Sequence, residues 1–252
     1  MVLMVVLKLP EEIDKMRASN RIVAEILDIL KGNVKPGITT SELDRISEEL
    51  SFKKGVKPAF KGYKGYPFSL CISVNSEVVH GMPSNRRLVS GDIVSLDYGV
   101  YYKGYYGDAA LTVPVGPVSD EAKRLINTTE KGLYQGIGEA RVGNRLGDIS
   151  AAIQECVESA GFSVVRDFVG HGIGKMLHED PQIPNFGTRG RGIELKAGMV
   201  LAIEPMVNEG TYKVNLLDNG WTVVTQDGKL SAHFEHSVAI TRNGPDILTL
   251  LN

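Results

Sequence analysis

The chain has 252 residues, of which 42% are hydrophobic and 23% charged, and a formal net charge of -2. This is the make-up of a globular chain with a sizeable core, and the near-balanced charge argues against a nucleic-acid surface as its main function. Cys71 and Cys156 have no paired spacing, which excludes a disulfide framework and fits a reducing, cytoplasmic setting.

The opening MVLMVVLKLP is too short to span a bilayer and lacks the basic flank and cleavage site of a signal peptide, so no membrane contact is expected. It reads as a leading strand or a loosely docked arm. Pro10 to Lys31 reads as a helix, with Pro10 in the first turn and Ile13, Met16, Val23, Ile26, Leu27 and Leu30 at helical spacing. Gly32 is its expected stop. Thr39 followed by Glu42 forms a capping box for a second helix carrying Leu43, Ile46 and Leu50 and ending near Gly55. Pro58 to Pro67 is a loop, Leu70–Val74 and Val78-Val79 are short strands, and His80 begins a further loop.

From Gly91 to Val113 the chain reads GDIVSLDYGVYYKGYYGDAALTV, a hairpin turning at Lys103-Gly104. Asp97 and Asp108 sit inside its otherwise apolar strands. Buried carboxylates on neighbouring strands need a cation between them, a proton, or an Arg or Lys partner. A cation is the leading reading.

In the second half, Ser119 caps a helix to about Ala140, and a helix with Ile149, Ile153, Cys156, Val157 and Ala160 stops at Gly161. Strands are expected at Phe162–Val165, Phe168–Val169 and Met199–Ile203, with a loop from Pro181 to Gly192. Trp221–Thr225 and His233–Thr241 are expected to pair with each other across Asp227-Gly228. The two halves match. Gly37-x4-Glu42-Leu43 parallels Gly143-x4-Asp148-Ile149, an offset of 106 (143 − 37), and GDIVSLD parallels GMVLAIE, an offset of 107 (198 − 91), which lays Asp97 on Glu204. An internal duplication follows, in a single domain with halves of about 10–117 and 118–248.

Glu204 and Glu235 also lie beside apolar strand runs, and His171 lies where a strand ends in a glycine-rich turn. Asp97, Asp108, Glu204 and Glu235 with His171 make four carboxylates and one imidazole. Their charge of about −4 balances two divalent ions, and an oxygen-rich set with one His suits Mn(II), Fe(II) or Co(II) at least as well as Zn(II). One acid in a strand is more often half of an ion pair, so the set carries the argument rather than any member. His178 and His80 are further candidates for the same cavity, whereas His233 and His236 are taken as structural or as partners of Glu235. The Gly170-x-Gly172-x-Gly174 run lacks the spacing of a nucleotide loop.

VVHGMP, SLDYG, YYGDAA, GHGIGKMLHEDPQIPNFG, AIEPM, DGWTVVTQDG and FEHSVAIT closely resemble the methionine aminopeptidases of the short bacterial type I class, over nearly the whole chain. The resemblance implies the pita-bread fold, an α+β arrangement of two pseudo-symmetric helix-helix-strand halves around a curved antiparallel sheet. It implies that Asp97, Asp108, His171, Glu204 and Glu235 bind two metal ions, with Asp108 and Glu235 bridging. It also implies removal of N-terminal methionine, before a small second residue, by a two-metal-activated hydroxide. Glu204 is then ligand and proton acceptor, His178 stabilises the oxyanion, and His80 bonds the scissile nitrogen. Tyr63, Tyr66, Cys71 and Trp221 form the methionine pocket; for Cys71 and Trp221, plain core packing is the reading without the resemblance. Leu177 departs from the family, which usually has an aromatic there, and is expected to loosen one pocket wall. The implied partners are peptide and nascent-chain N-termini, near the ribosome exit, for a monomeric cytoplasmic enzyme. The alternatives are an Xaa-Pro dipeptidase or aminopeptidase, for whose added domain the chain leaves no room, and a non-catalytic binding protein of the same fold.

Overall fold

The computed structural model describes residues 5–251. Residues 1–4, where the leading strand was expected to begin, lie outside the described residues. Residues 5–9 form no strand but a docked arm: the Lys8 N–H donates to Gly198 O at 2.7 Å, and Lys8 Nζ meets Glu179 Oε2 at 2.5 Å with both side chains buried.

Helix α1 runs Pro10–Asn33, two residues past the expected end at Lys31, because Gly32 continues the helix and Val34 takes the cap. Helix α2, Thr40–Lys54, starts on the capping box: Thr39 Oγ1 accepts from Glu42 N at 3.1 Å and Glu42 Oε2 accepts from Thr39 N at 2.7 Å. Strands β1 (Lys57–Pro58), β2 (Cys71–Val74), β3 (Glu77–Val79), β4 (Ile93–Tyr102) and β5 (Tyr105–Pro114) complete the first half. The second half contains α3 (Asp120–Gly138), α4 (Leu146–Ser159), β6 (Ser163–Val164), β7 (Gly170–Gly172), β8 (Glu179–Ile183), β9 (Val200–Ile203) and β10 (Met206–Asn208). It closes with β11 (Val214–Leu216), β12 (Val223–Thr225), β13 (Ser231–His233), β14 (Glu235–Thr241) and β15 (Gly244–Ile247).

A nine-stranded sheet runs β1-β4-β5-β14-β9-β7-β8, with β2 on β4 and β15 on β14, and every pairing is antiparallel. Two three-stranded sheets, β13-β10-β6 and β11-β12-β3, flank it. One apolar cluster joins α1 and α2 to β2 and β4 through Val23, Leu27, Leu30, Leu43, Ile72 and Leu96. Another joins α3 and α4 to β9 and β14 through Leu125, Leu133, Ile149, Ile153, Leu201 and Val238. Related details recur in the halves. Gly37 and Gly143 share a φ of +93°, and single bridges tie Thr39 to Arg87 and Arg145 to Glu194.

The hairpin forms as expected. Lys103 and Gly104 have φ of +47° and +89°, the doubly left-handed turn whose twist matches paired strands. Three other expectations fail. The strand expected at Phe168–Val169 falls instead on Gly170–Gly172. These glycines answer close backbone approach rather than a turn: a Cβ on Gly170 would lie 2.4 Å from Ala202 O, and one on Gly172 would lie 2.2 Å from Asp180 O. The adjoining Glu179–Ile183 is a strand where a loop was expected to begin. Trp221–Thr225 and His233–Thr241 do not pair with each other. Strand β12 joins β3 and β11, while β13 joins β10 and β14 joins β5 and β9. The turn lies where the sequence signals it, but burial of Val79 and Val223 together decides the partner.

Candidate metal centre

The site follows from strand pleat. Asp97 on β4 pairs with Ala110, and Glu235 at the start of β14 also pairs with Ala110. Asp108 lies two residues before Ala110 on β5, so the three acids share one face of the sheet. Gly99 opposes Asp108, and a Cβ there would lie 3.1 Å from Asp108 Oδ1, so only glycine leaves the carboxylate its room. His171 lies on β7 opposite Ala202 of β9, and Glu204 leaves β9 two residues later.

One ligand atom each from Asp108, His171 and Glu235 lie within 4.8 Å of one another. Glu204 Oε1 is 3.5 Å from His171 Nε2, and Asp108 Oδ2 is 4.0 Å from the same atom. Buried oxygens of Asp97, Asp108 and Glu235 have no hydrogen-bond partner. No Lys or Arg pairs with any of these acids among the described residues, which removes one of the alternatives that the sequence left open. Burial and mutual repulsion therefore push Asp108 and Glu235 well above the carboxylate range, and burial raises Asp97 and Glu204 to about 7. Orphaned buried carboxylate oxygens converging beside an imidazole are what a divalent cation satisfies, and the donor set fits one.

A cavity of about 240 Å³ opens beside these residues. Its walls include His80, His178, Tyr63, Tyr66, Cys71, Leu177 and Trp221, so all the residues singled out from the sequence meet in one place. Phe60 and Lys64 line it as well; both were passed over inside an apparent loop. The Tyr63 hydroxyl lies 2.9 Å from His178 Nδ1, and the His178 ring stacks on Tyr63 and lies 4.2 Å from the His171 ring. Tyr66 donates to Gly81 O at 2.9 Å and meets Trp221 edge to face. His80 holds a φ of +57° and packs edge-on against Phe168 and Trp221. Burial lowers His80 to about 4 and His178 to about 3, so both imidazoles are neutral near pH 7. Leu177 is buried among the residues of this wall rather than leaving it open.

His233, expected from the sequence to be structural or a partner of Glu235, lies beside Glu204 instead of forming a contact with Glu235. It is buried, and its Nε2 lies 3.6 Å from Glu204 Oε2. The signal was available, since residues i and i+2 of an extended chain share a face, which puts His233 on the side of Glu235. His236, one residue on, points away to Thr249 and Tyr134.

Residues 14–242 match the model of metallopeptidase family M24. A methionine aminopeptidase of Clostridium perfringens is 60% identical over 98% of this chain and 100% of its own length. Methionine aminopeptidase 1 of Bacillus subtilis is 55% identical over 98% and 99%. The crystal structure of a methionine aminopeptidase from Thermotoga maritima superposes with a TM-score of 0.97 at 50% identity, covering 98% of this chain and 100% of that one. An Xaa-Pro dipeptidase from Bacillus anthracis shares the fold, with a TM-score of 0.77 at 23% identity, and this chain covers 62% of it.

Proposed function

We propose, for a chain that belongs to metallopeptidase family M24 among its pita-bread methionine aminopeptidases, that Asp97, Asp108, His171, Glu204 and Glu235 hold two divalent ions and that His80 and His178 handle the peptide. The chain is a metal-dependent aminopeptidase that removes the N-terminal methionine of peptides and proteins. The observation that carries the residue assignment is the set of unpartnered buried oxygens on Asp97, Asp108 and Glu235, with Asp108 and Glu235 each bringing a carboxylate oxygen within 4.8 Å of a His171 ring nitrogen. Asp108 and Glu235, whose ligand atoms converge with that of His171, would hold an ion there. Mn(II), Fe(II), Co(II) and Zn(II) are the candidate ions.

Bound divalent ions supply Lewis-acid polarisation and a water of lowered pKa. Glu204, whose carboxylate lies 3.5 Å from His171 Nε2 at the edge of the cavity, is the residue that would take up the proton of the attacking water. The Tyr63 hydroxyl lies 2.9 Å from His178 Nδ1, and in the proposed role it donates there, which leaves the hydrogen of the neutral ring on Nε2. That N–H then faces the charge developing on the carbonyl oxygen. His80 contacts the scissile nitrogen and eases its departure. Tyr63, Tyr66, Cys71, Leu177 and Trp221 surround the methionine side chain, whose flexible thioether suits aromatic edges and a thiol. A preference for a small second residue is part of the same reading.

The reading extends to nascent-chain N-termini near the ribosome exit, a monomeric state and action in the cytoplasm. No helix among the described residues is long and apolar enough to cross a membrane. It also includes an internal duplication with Glu204 as counterpart of Asp97, supported by the shared φ of Gly37 and Gly143.

The direct test incubates chelator-stripped protein with Met-Ala-Ser and each candidate metal. Methionine release is expected with metal and none without it. Cleavage of an Xaa-Pro dipeptide instead would move the chain to the other activity of the fold, which the sequence identities do not favour. A second expected result concerns His178→Ala: kcat falls by roughly 10²-fold or more, the cost of one oxyanion donor. A variant as fast as wild type under saturating peptide would remove His178 from that role.

A further inference from the structure

His233 is 2% exposed, yet its Nε2 has no hydrogen-bond partner. That atom lies 3.6 Å from Glu204 Oε2, while His171 Nε2 lies 3.5 Å from Glu204 Oε1. Each oxygen of the Glu204 carboxylate is thus faced by its own imidazole. His171 is already claimed as a metal ligand; His233 is not.

The backbone of His233 is held from behind. Its N–H donates to Thr112 Oγ1 at 2.9 Å, and the Thr112 hydroxyl donates to His233 O at 2.8 Å. With its one proton committed there, Thr112 accepts from Ser95 Oγ at 2.8 Å. Three strands, β4, β5 and β13, therefore fix where the ring starts. Glu204, by contrast, sits where the chain crosses from β9 to β10. Its carbonyl accepts from Asn185 at 3.0 Å, and no hydrogen bond to its carboxylate is formed among the described residues. Phe234, at the matching crossing from β13 to β14, donates its N–H to Pro205 O at 3.3 Å, which keeps the two crossings together. A histidine serving only to fill the core would find a partner for its buried nitrogen away from the site.

We propose that His233 is a positioning residue whose Nε2–H holds Glu204 Oε2, fixing the carboxylate that the reaction uses. The step from 3.6 Å to a hydrogen bond is a shift of about half an ångström. The proposal rests on the metallopeptidase reading above, because it gives Glu204 an orientation to keep.

The test compares His233→Ala, His233→Met and His233→Gln with wild type. Methionine fills the space without a donor, and the glutamine amide restores one. Calorimetric titration of the stripped protein with Co(II) and the visible spectrum of the Co(II) protein report the site without reference to turnover. Loss of the donor is expected to weaken Co(II) binding or lower kcat by roughly 10–100-fold, as for other groups that orient metal ligands. The KM for Met-Ala-Ser should stay within about threefold of wild type, as expected when the lost interaction acts in the transition state rather than in substrate binding. His233→Gln should recover most of the loss and the wild-type spectrum. The proposal fails if Ala and Met variants bind Co(II) and turn over like wild type, or if Gln is no better than Met. Should wild type itself take up no metal and release no methionine, the metallopeptidase reading fails instead, and this one with it.

Discussion

Asp108→Asn is expected to abolish methionine release while leaving the fold intact. The substitution keeps shape and volume, and the backbone contacts survive: Ser237 Oγ still donates to residue 108 O, and Asn20 Oδ1 still accepts from its N–H. What disappears is one negative charge at the point where Asp108, His171 and Glu235 converge. Unit charges about 4 Å apart at an effective dielectric of about 20 interact by ~4 kcal/mol. That corresponds to roughly 10³-fold in affinity for a cation. The stripped variant should melt no lower than stripped wild type, because burial and the neighbouring acids already favour the neutral form of Asp108, which the amide resembles in charge and shape. Calorimetry with Mn(II) and a thermal melt separate the two effects. A variant with wild-type metal affinity and activity would take Asp108 out of the centre.

Stripping the metal is expected to stop activity and to leave a protein that weakens as the pH rises. Burial raises Asp97 and Glu204 to about 7 in the metal-free fold, against ordinary values of 3.8 and 4.5. Stability linked to these groups is fully present below about pH 4 and is lost as pH climbs through 7 and both must ionise unpaired. Each group contributes a slope of up to about 1.4 kcal/mol per pH unit. The neutral histidines act in the opposite sense, since their folded pKa values are depressed and their contribution is lost only as pH falls towards 4. Above about pH 6.5 the histidines are neutral in both states, so from there until the ionisation of Asp97 and Glu204 is complete, just above 7, the carboxylates dominate and the stripped protein's Tm should fall. With metal bound, the same acids are ligands as anions and the fall should vanish. A stripped protein whose Tm is level or rising over this interval would mean that the acids have partners other than a cation.

Local signals in the chain were reliable where local physics decides. The Thr39–Glu42 capping box and the Lys103-Gly104 turn lie within four residues, and their hydrogen bonds and φ angles form whatever the rest of the chain does. The five candidate ligands were legible for a related reason. A carboxylate inside an apolar strand is costly in any fold, so its presence marks a site before its partners are known. Glycine was the ambiguous letter. At Gly104 it answers a left-handed turn, whereas at Gly170 and Gly172 it answers backbone packed against backbone, and the sequence does not distinguish these.

By itself the sequence determined the helices, the central hairpin, the acids and imidazoles of the centre, and the family resemblance that supplied their roles. The tertiary structure alone decided which strands pair, and with that which carboxylate His233 faces. Strand β12 carries the same alternation whether it meets β14 or β3, and only burial of Val223 against Val79 selects β3. His233 and Glu204 are neighbours because two chain crossings between sheets abut, linked through Phe234 and Pro205. Pairing energy of that kind lies in contacts between distant segments, so no short stretch of sequence contains it.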